Sequence, residues 1–188
     1  MSMIAQWPLR LRAMALLFAG RNEAAETVFS RMLARWPQDA YALASRSFVR
    51  AQLGRREAAI DDARQLVAEH PERSAGHWFN LGFLLESADR TEEAIDAFCR
   101  AVALDPKLDR AWYGLGLALL RQGRRDEAVR AFTHNTELQP MSPYGWYHLA
   151  RAHADGDKPD EARRIIRHLR GFGPRVADQL ERETGLAS

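Results

Sequence analysis

Residues Ala75–Leu108 read AGHWFNLGFLLESADRTEEAIDAFCRAVALDPKL, and the next stretch, Asp109–Ser142, repeats most of the same pattern. The matching pairs, each 34 residues apart, are Trp78 and Trp112, Leu81 and Leu115, Gly82 and Gly116, Ala94 and Ala128, Phe98 and Phe132, and Pro106 and Pro140. A period of this length is typical of a stacked repeat architecture, in which each unit buries its apolar face against its neighbours.

The same period extends over nearly the whole chain. Prolines recur every 34 or 35 residues, at Pro37, Pro71, Pro106, Pro140 and Pro174. An alanine stands 12 residues before each proline, at Ala25, Ala59, Ala94, Ala128 and Ala162. The chain therefore divides into five units, approximately 6–39, 40–74, 75–108, 109–142 and 143–176.

Each unit has the periodicity of two α-helices. In the third unit, Trp78, Leu81 and Leu85 recur at the spacing of one helical face, as do Ala94, Ala97, Phe98 and Ala101 further along. Glycine or aspartate stands between the two predicted helices, and glycine there can adopt the left-handed conformation that ends a helix. The proline at the end of the unit stops the second helix. Past Pro174, residues 175–184 predict one more helix with a mostly charged surface, which would cover the last unit, and Gly185 would end it.

Trp, Leu-Gly, Ala, Phe and Pro at these positions of a 34-residue unit resemble the tetratricopeptide repeat. The resemblance implies an all-α, right-handed α-solenoid of tandem antiparallel helix pairs with a C-terminal capping helix, forming a single domain over residues 1–188. The second unit departs from the pattern, because Arg46-Ser47 stands in place of Leu-Gly. We expect the stem of Arg46 to lie along the core and its guanidinium to bind Asp61 or Asp62 on the partner helix.

Composition places limits on function. The 27 Lys and Arg residues nearly balance 25 Asp and Glu residues, for a net charge of +2, so no strong field for nucleic acid results. The Arg-rich run from Arg163 to Arg170 predicts a solvated helix face, with Asp160 and Glu161 spaced to pair with its arginines. No segment is long and apolar enough to predict a membrane span. Arginine dominates over lysine, which favours a bacterial origin, and the single cysteine fits a reducing compartment. The apolar stretch Ala13–Ala19 is short for the core of a secretory signal, so we expect a cytoplasmic protein.

No motif of catalysis is present. The sequence lacks His-Glu-x-x-His, a phosphate-binding Gly-rich loop, Gly-x-Ser-x-Gly and clustered Cys/His spacings, so we expect no enzymatic activity, no cofactor and no metal site. The six histidines are scattered over different units. Cys99, next to Phe98 on a predicted helix, is interpreted as a small buried or half-buried apolar side chain.

The resemblance implies that the first helix of each unit lines a concave groove. Large apolar, aromatic and arginine side chains at such positions are typical of protein-binding surfaces. The predicted groove residues are Trp7, Arg10, Met14, Phe18, Tyr41, Phe48, Phe79, Asn80, Phe83, Glu86, Arg110, Tyr113, Leu117, Arg121, Tyr144, Tyr147, His148 and Arg151. Packing between units is the competing interpretation for each of them.

The sequence thus predicts a non-enzymatic adaptor or scaffold that binds a peptide or an amphipathic helix of a partner protein. A chaperone of secreted or assembly subunits and an interaction domain that serves a transferase-type enzyme are alternatives. Self-association through Trp7, Met14 and Phe18 of the first unit is compatible with each of these functions. Neither nucleic acid nor membrane is an expected partner.

Overall fold

The structure, a computed structural model, describes residues 3–186, with side chains described from Gln6 to Leu186. Over this part of the chain it contains eleven α-helices and no strand. The helices are α1 Met3–Phe18, α2 Asn22–Arg35, α3 Ala40–Gln52, α4 Arg56–Glu69, α5 Ala75–Ser87, α6 Thr91–Leu104, α7 Asp109–Arg121, α8 Arg125–Leu138, α9 Pro143–Ala154, α10 Pro159–Arg170 and α11 Pro174–Thr184. The predicted all-α fold of tandem helix pairs is confirmed, although α1 begins three residues before the predicted start of the first unit.

From here on the helix pairs are called repeats, and the word unit is kept for the two compact parts into which the chain divides. The first unit is Met1–Arg90 and the second unit is Thr91–Ser188. In the first unit, each helix packs against the next from α1 to α5. In the second unit, the same order runs from α6 to α11, and α11 also returns to contact α9. Within each unit, contacts are thus mainly between neighbours in the chain, as in other repeat proteins.

The turn between the two helices of a repeat requires one left-handed residue. Gly20, Gly54 and Gly123 have φ between 69° and 74°, as their positions predict. Asp89 and Asp157 take the same place in the third and fifth repeats with φ of 58° and 56°. Aspartate tolerates this region better than most side chains, so all five repeats make the same turn.

Large side chains on the second helix of a repeat pack against small residues on the first. The second helices also carry small residues of their own, since the five repeating alanines, Ala25, Ala59, Ala94, Ala128 and Ala162, lie there and are each fully buried. A Cβ atom added to Gly116 would lie 2.7 Å from the ring of Phe132, which itself is fully buried. The glycine is therefore needed for the close approach of α7 and α8.

In three repeats, a tryptophan of the first helix donates a hydrogen bond to the turn that precedes the helix. The indole Nε1–H of Trp112 donates to the carbonyl oxygen of Pro106 at 2.9 Å. Trp146 makes the same bond to Pro140, and Trp78 makes it to Pro71 at 2.7 Å. The repeating Trp and Pro are thus partners in one contact, which explains why they recur together.

Ion pairs replace part of the apolar packing in the second repeat. Arg46 on α3 donates two hydrogen bonds to Asp62 on α4, of 2.6 and 2.9 Å, and a third to Ser30 on α2. Arg50 binds Asp62 at 3.0 Å and Glu26 at 2.9 Å. Of the two predicted partners of Arg46, Asp62 is therefore confirmed. Asp62 is 2% exposed, whereas Asp61 faces solvent. The network joins α2, α3 and α4.

The C-terminal helix covers the last repeat, as predicted. Ala177 and Leu180 of α11 are fully buried, and Arg170 of α10 binds Glu181 of α11 at 2.6 Å. Gly185 ends the helix in the left-handed conformation with φ of 68°. The apolar face of α9 and α10 is therefore covered from within the chain.

We predict that Asp62→Asn lowers the free energy of unfolding by about 3 kcal/mol, because it leaves Arg46 and Arg50 without their shared, buried carboxylate. Asp61→Asn makes the same chemical change one residue away on the exposed side of α4, and it should shift stability by less than about 0.5 kcal/mol. Urea unfolding of the three proteins measures both effects. Equal stabilities of the two variants would contradict the importance of the network.

Candidate partner-binding groove

An apolar cavity of about 310 Å³ lies between α3, α4 and α5 in the first unit. Its walls are formed by Ala44, Ser47, Phe48, Ala51 and Gln52 of α3, Ala63 and Leu66 of α4, and His77, Phe79, Asn80, Phe83 and Leu84 of α5. Four residues of the predicted groove, Phe48, Phe79, Asn80 and Phe83, are therefore brought together here. We call this site the α3–α5 cavity.

Two phenylalanines stand at the α3–α5 cavity with most of their surface in solvent. Phe48 is 61% exposed and Phe83 is 62% exposed, whereas Leu66 and Ala63 behind them are buried. Exposure of two large rings next to an apolar cavity costs solvation free energy that a bound apolar group would recover. This arrangement suits recognition of an apolar side chain.

The lining of the α3–α5 cavity carries no formal charge. None of its lining residues is an Asp, Glu, Lys or Arg. Burial lowers the pKa of His77, and the nearby charges of Arg73 and His70 lower it further, so His77 is neutral at physiological pH. The exposed amides of Gln52 and Asn80 supply donors and acceptors without charge. The site therefore fits a neutral, apolar group with polar atoms beside it.

The predicted groove residues of α1 are exposed, except for Arg10. Trp7 is 61%, Met14 is 55% and Phe18 is 97% exposed. Leu11, which was not among the predicted residues, is 48% exposed, and it completes an apolar stripe at the spacing of one helical face. The α1 stripe consists of Trp7, Leu11, Met14 and Phe18.

Arg10 and Tyr41 are occupied with each other and with Asp39. The guanidinium of Arg10 lies over the Tyr41 ring at 4.8 Å and binds the Asp39 carboxylate at 2.8 Å. Asp39 also accepts a hydrogen bond from the backbone N–H of Ala42 and so caps α3. Arg10 thus positions the start of α3.

Glu86, another residue of the predicted groove, lies half-buried towards the end of α5, outside the lining of the α3–α5 cavity.

In the second unit, two predicted groove residues bind the capping helix. Tyr147 donates a hydrogen bond to Glu183 of α11 at 2.6 Å, and Arg151 binds the same carboxylate at 2.9 Å. This contact arises because α11 folds back onto α9. Sequence periodicity places both residues on the inner face of α9, but only the structure reveals that their own chain contacts them there.

The remaining predicted residues of the second unit divide into core and surface. His148 stacks on Phe132 with ring centroids 5.3 Å apart and meets the Tyr113 ring edge-to-face at 5.6 Å. These side chains belong to the packing between α7, α8 and α9. Tyr144 is 68% exposed, Arg110 and Arg121 are exposed, and Leu117 is half-buried.

Three family models of the tetratricopeptide repeat match residues 6–31, 87–123 and 113–174, which together make up more than half of the chain. The chain belongs to the tetratricopeptide repeat family. No curated protein sequence matches it significantly.

Solved structures of tetratricopeptide repeat proteins share the fold. A crystal structure of MamA is 22% identical, with a TM-score of 0.80, and the match covers 94% of this chain and 93% of MamA. MamA residues 41 to the end from Desulfovibrio magneticus RS-1 are 20% identical, with a TM-score of 0.77 and coverage of 93% and 94%. YrrB, described as a tetratricopeptide repeat protein with an unusual peptide-binding site, is 20% identical, with a TM-score of 0.81 and coverage of 93% and 91%.

Several residues of the α3–α5 cavity were not predicted from the sequence. Ser47, Ala63, Leu66, His77 and Leu84 line it without standing at the groove positions of the tetratricopeptide repeat. One signal was available in the sequence: Ala63 occupies the position where Phe29, Phe98 and Phe132 recur in other repeats. A small side chain at a core position that holds a large side chain in the other repeats predicts a cavity.

Groups that bind metals are not assembled in the described part of the chain, where no three His, Cys, Asp or Glu side chains lie close enough to share an ion. No helix described here is long and apolar enough to cross a membrane.

Asp160 and Glu161 pair with Arg163 and Arg164 as predicted, at 2.8 and 3.2 Å.

The interpretation of Cys99 as a buried or half-buried apolar side chain is wrong. Cys99 lies exposed on α6, because one residue along a helix turns the side chain about 100° away from the buried face of Phe98. Partial desolvation of the sulfur and, to a smaller extent, the negative charge of Asp96 nevertheless raise the pKa of the thiol. The thiol is therefore protonated at neutral pH and weakly nucleophilic.

We predict that stability falls as the pH drops below about 6.5, the ordinary pKa of histidine. Burial lowers the pKa of His148, His77 and His153 in the folded chain. In this pH range the unfolded chain binds more protons than the folded chain, so unfolding is favoured by acid. His148→Phe, which preserves an aromatic ring against Phe132, should reduce the loss of stability.

Urea unfolding at about pH 8 and about pH 5.5 measures this effect. At the higher pH, both proteins have neutral rings at these sites, and their comparison isolates the packing effect of the substitution. The same loss of stability on acidification in both proteins would show that His148 does not contribute.

Proposed function

We propose that this chain is a non-enzymatic protein-interaction module that binds a segment of a partner protein at the α3–α5 cavity. The observation that carries the proposal is the pair of exposed rings, Phe48 and Phe83, at the opening of an uncharged apolar cavity. Membership of the tetratricopeptide repeat family supports a binding role rather than a catalytic one. We place this role in the cytoplasm of a bacterial cell, on the basis of the single cysteine and the arginine-rich composition.

The bound segment would be a peptide or one face of an amphipathic helix. Both present apolar side chains at regular spacing, and the two rings and the cavity offer several apolar contacts within a short distance. Tyr147 and Arg151 are not assigned to this partner, because α11 already occupies them. The proposed contact surface is therefore centred on the first unit.

We predict that replacing Phe48, Phe79 and Phe83 together with Ser strongly reduces capture of partner proteins from lysate. Interface aromatic residues of this kind each contribute about 2 kcal/mol, so capture should fall by more than about tenfold. Quantitative mass spectrometry of proteins retained by the immobilised chain measures the change.

A matched control removes exposed apolar surface elsewhere. Leu104→Ser with Met141→Ser changes two side chains of the second unit that are 39% and 69% exposed, and it should leave capture unchanged. Circular dichroism verifies that both variants are folded. Full capture by a folded triple variant would exclude the α3–α5 cavity as the binding site.

Self-association through the α1 stripe is a second proposal, favoured by its own observation. Four apolar side chains stand exposed in one line along α1, and an exposed stripe of this kind usually marks an interface. The occupant would be a second copy of the chain, which buries the stripe.

We predict that sedimentation velocity at two concentrations detects a dimer or larger species whose fraction increases with concentration. Trp7→Ser with Phe18→Ser should make the protein monomeric, whereas Met141→Ser, a change of similar exposure in the second unit, should not. A wild-type chain that is monomeric at both concentrations would refute self-association.

A further inference from the structure

One core position differs between the second repeat and the other four. The second helix of a repeat carries a large apolar side chain four residues after its buried alanine: Phe29, Phe98, Phe132 and Ile166, all at most 2% exposed. In the second repeat the residue at this position is Ala63. The chain thus lacks one large side chain in an otherwise regular series.

Phe132 shows which neighbours such a ring contacts. Its ring lies against Gly116 and Tyr113 of the same repeat and stacks on His148 of the next repeat. Phe29 similarly belongs to one core with Ala13, and it meets Tyr41 edge-to-face at 6.0 Å. The ring therefore fills the space between two successive first helices.

The equivalents of these neighbours all line the α3–α5 cavity. Ser47 stands at the repeat position of Gly116, Ala44 at that of Tyr113, and Asn80 at that of His148. All three are lining residues, and so is Ala63 itself. The cavity thus occupies the place where other repeats bury a ring, and its volume of about 310 Å³ leaves room for one.

The chemistry of the walls restricts the group that can enter. Leu66, Leu84 and Phe79 present apolar surface, and the lining contains no charged residue that could neutralise a carboxylate or phosphate. The side chains of Gln52 and Asn80 are exposed at the cavity. Their amides can bind a peptide backbone on either side of an inserted apolar side chain.

We propose that the α3–α5 cavity receives one aromatic side chain of a partner peptide, in the place of the core ring that Ala63 does not supply. This inference rests on the proposed function, because it specifies what the cavity recognises. The exposed rings of Phe48 and Phe83 contact the residues of the peptide next to the inserted one. Binding thereby completes a core that is incomplete in the free chain.

The test uses defined probes with the full chain. N-acetyl-phenylalanine amide, N-acetyl-leucine amide and N-acetyl-alanine amide are titrated against ¹⁵N-labelled protein and followed by NMR. We expect saturable shifts at His77, Asn80 and Leu66 with the phenylalanine derivative, weaker binding of the leucine derivative, and no saturation with the alanine derivative, since affinity follows the apolar area buried.

Substitutions of Ala63 test the place of insertion. Ala63→Phe supplies the missing ring from within the chain and should weaken binding of N-acetyl-phenylalanine amide by at least about tenfold, because the cavity is then filled. Ala68→Phe adds the same side chain to the exposed face of α4 and should leave binding unchanged. If Ala63→Phe fails to fold, Ser47→Ala with Ala63→Phe recreates the Ala13 and Phe29 pair of the first repeat.

Two results would overturn the inference: equal binding of the phenylalanine and alanine derivatives, or undiminished binding to folded Ala63→Phe. Capture of a protein partner that is lost in the Phe48, Phe79 and Phe83 variant but retained in Ala63→Phe would uphold the proposed function and reject the inserted ring. A dimer that dissociates when the probe is added, and that Ala63→Phe cannot form, would assign the cavity to a second copy instead.

Discussion

The packing of a large side chain on one helix against a small residue on its neighbour is the interaction on which this structure depends. Phe132 approaches Gly116 so closely that a β-carbon there would overlap its ring. Such contact brings two helices near enough to exclude water, and apolar burial of this kind is the main stabilising term in a repeat protein. The recurring alanines, the left-handed turns and the Trp–Pro hydrogen bonds all serve to bring helices into this contact.

The second repeat departs from this arrangement and is stabilised in another way. Arg46 and Ala63 replace the usual large apolar residues, and the bidentate pair of Arg46 with Asp62 holds α3 against α4. Buried ion pairs are costly to desolvate and contribute little net stability, but they are directional and fix geometry. The repeat therefore retains its helix pair while an apolar space stays open beside it.

The two ends of the chain differ in how their apolar faces are covered. At the C-terminal end, α11 buries Leu180 and joins Glu183 to Tyr147 and Arg151, so the inner face of α9 has an intramolecular partner. In the first unit, the α1 stripe and the rings of Phe48 and Phe83 remain in solvent. Apolar surface available for an external partner is thus concentrated in the first unit, which is why both binding proposals lie there.

The sequence alone determined the repeat, its helices and its turns, since these depend on local periodicity and on residues such as Gly123 and Pro140 that act on their immediate neighbours. It also predicted that Arg46 pairs with Asp61 or Asp62, because a buried charge needs a partner of opposite sign, and the structure identifies that partner as Asp62. Only the tertiary structure decided which groove residues are available. The return of α11 onto α9, the use of His148 in the core and the cavity beside Ala63 all depend on contacts between residues distant in the chain, and helical periodicity carries no information about them.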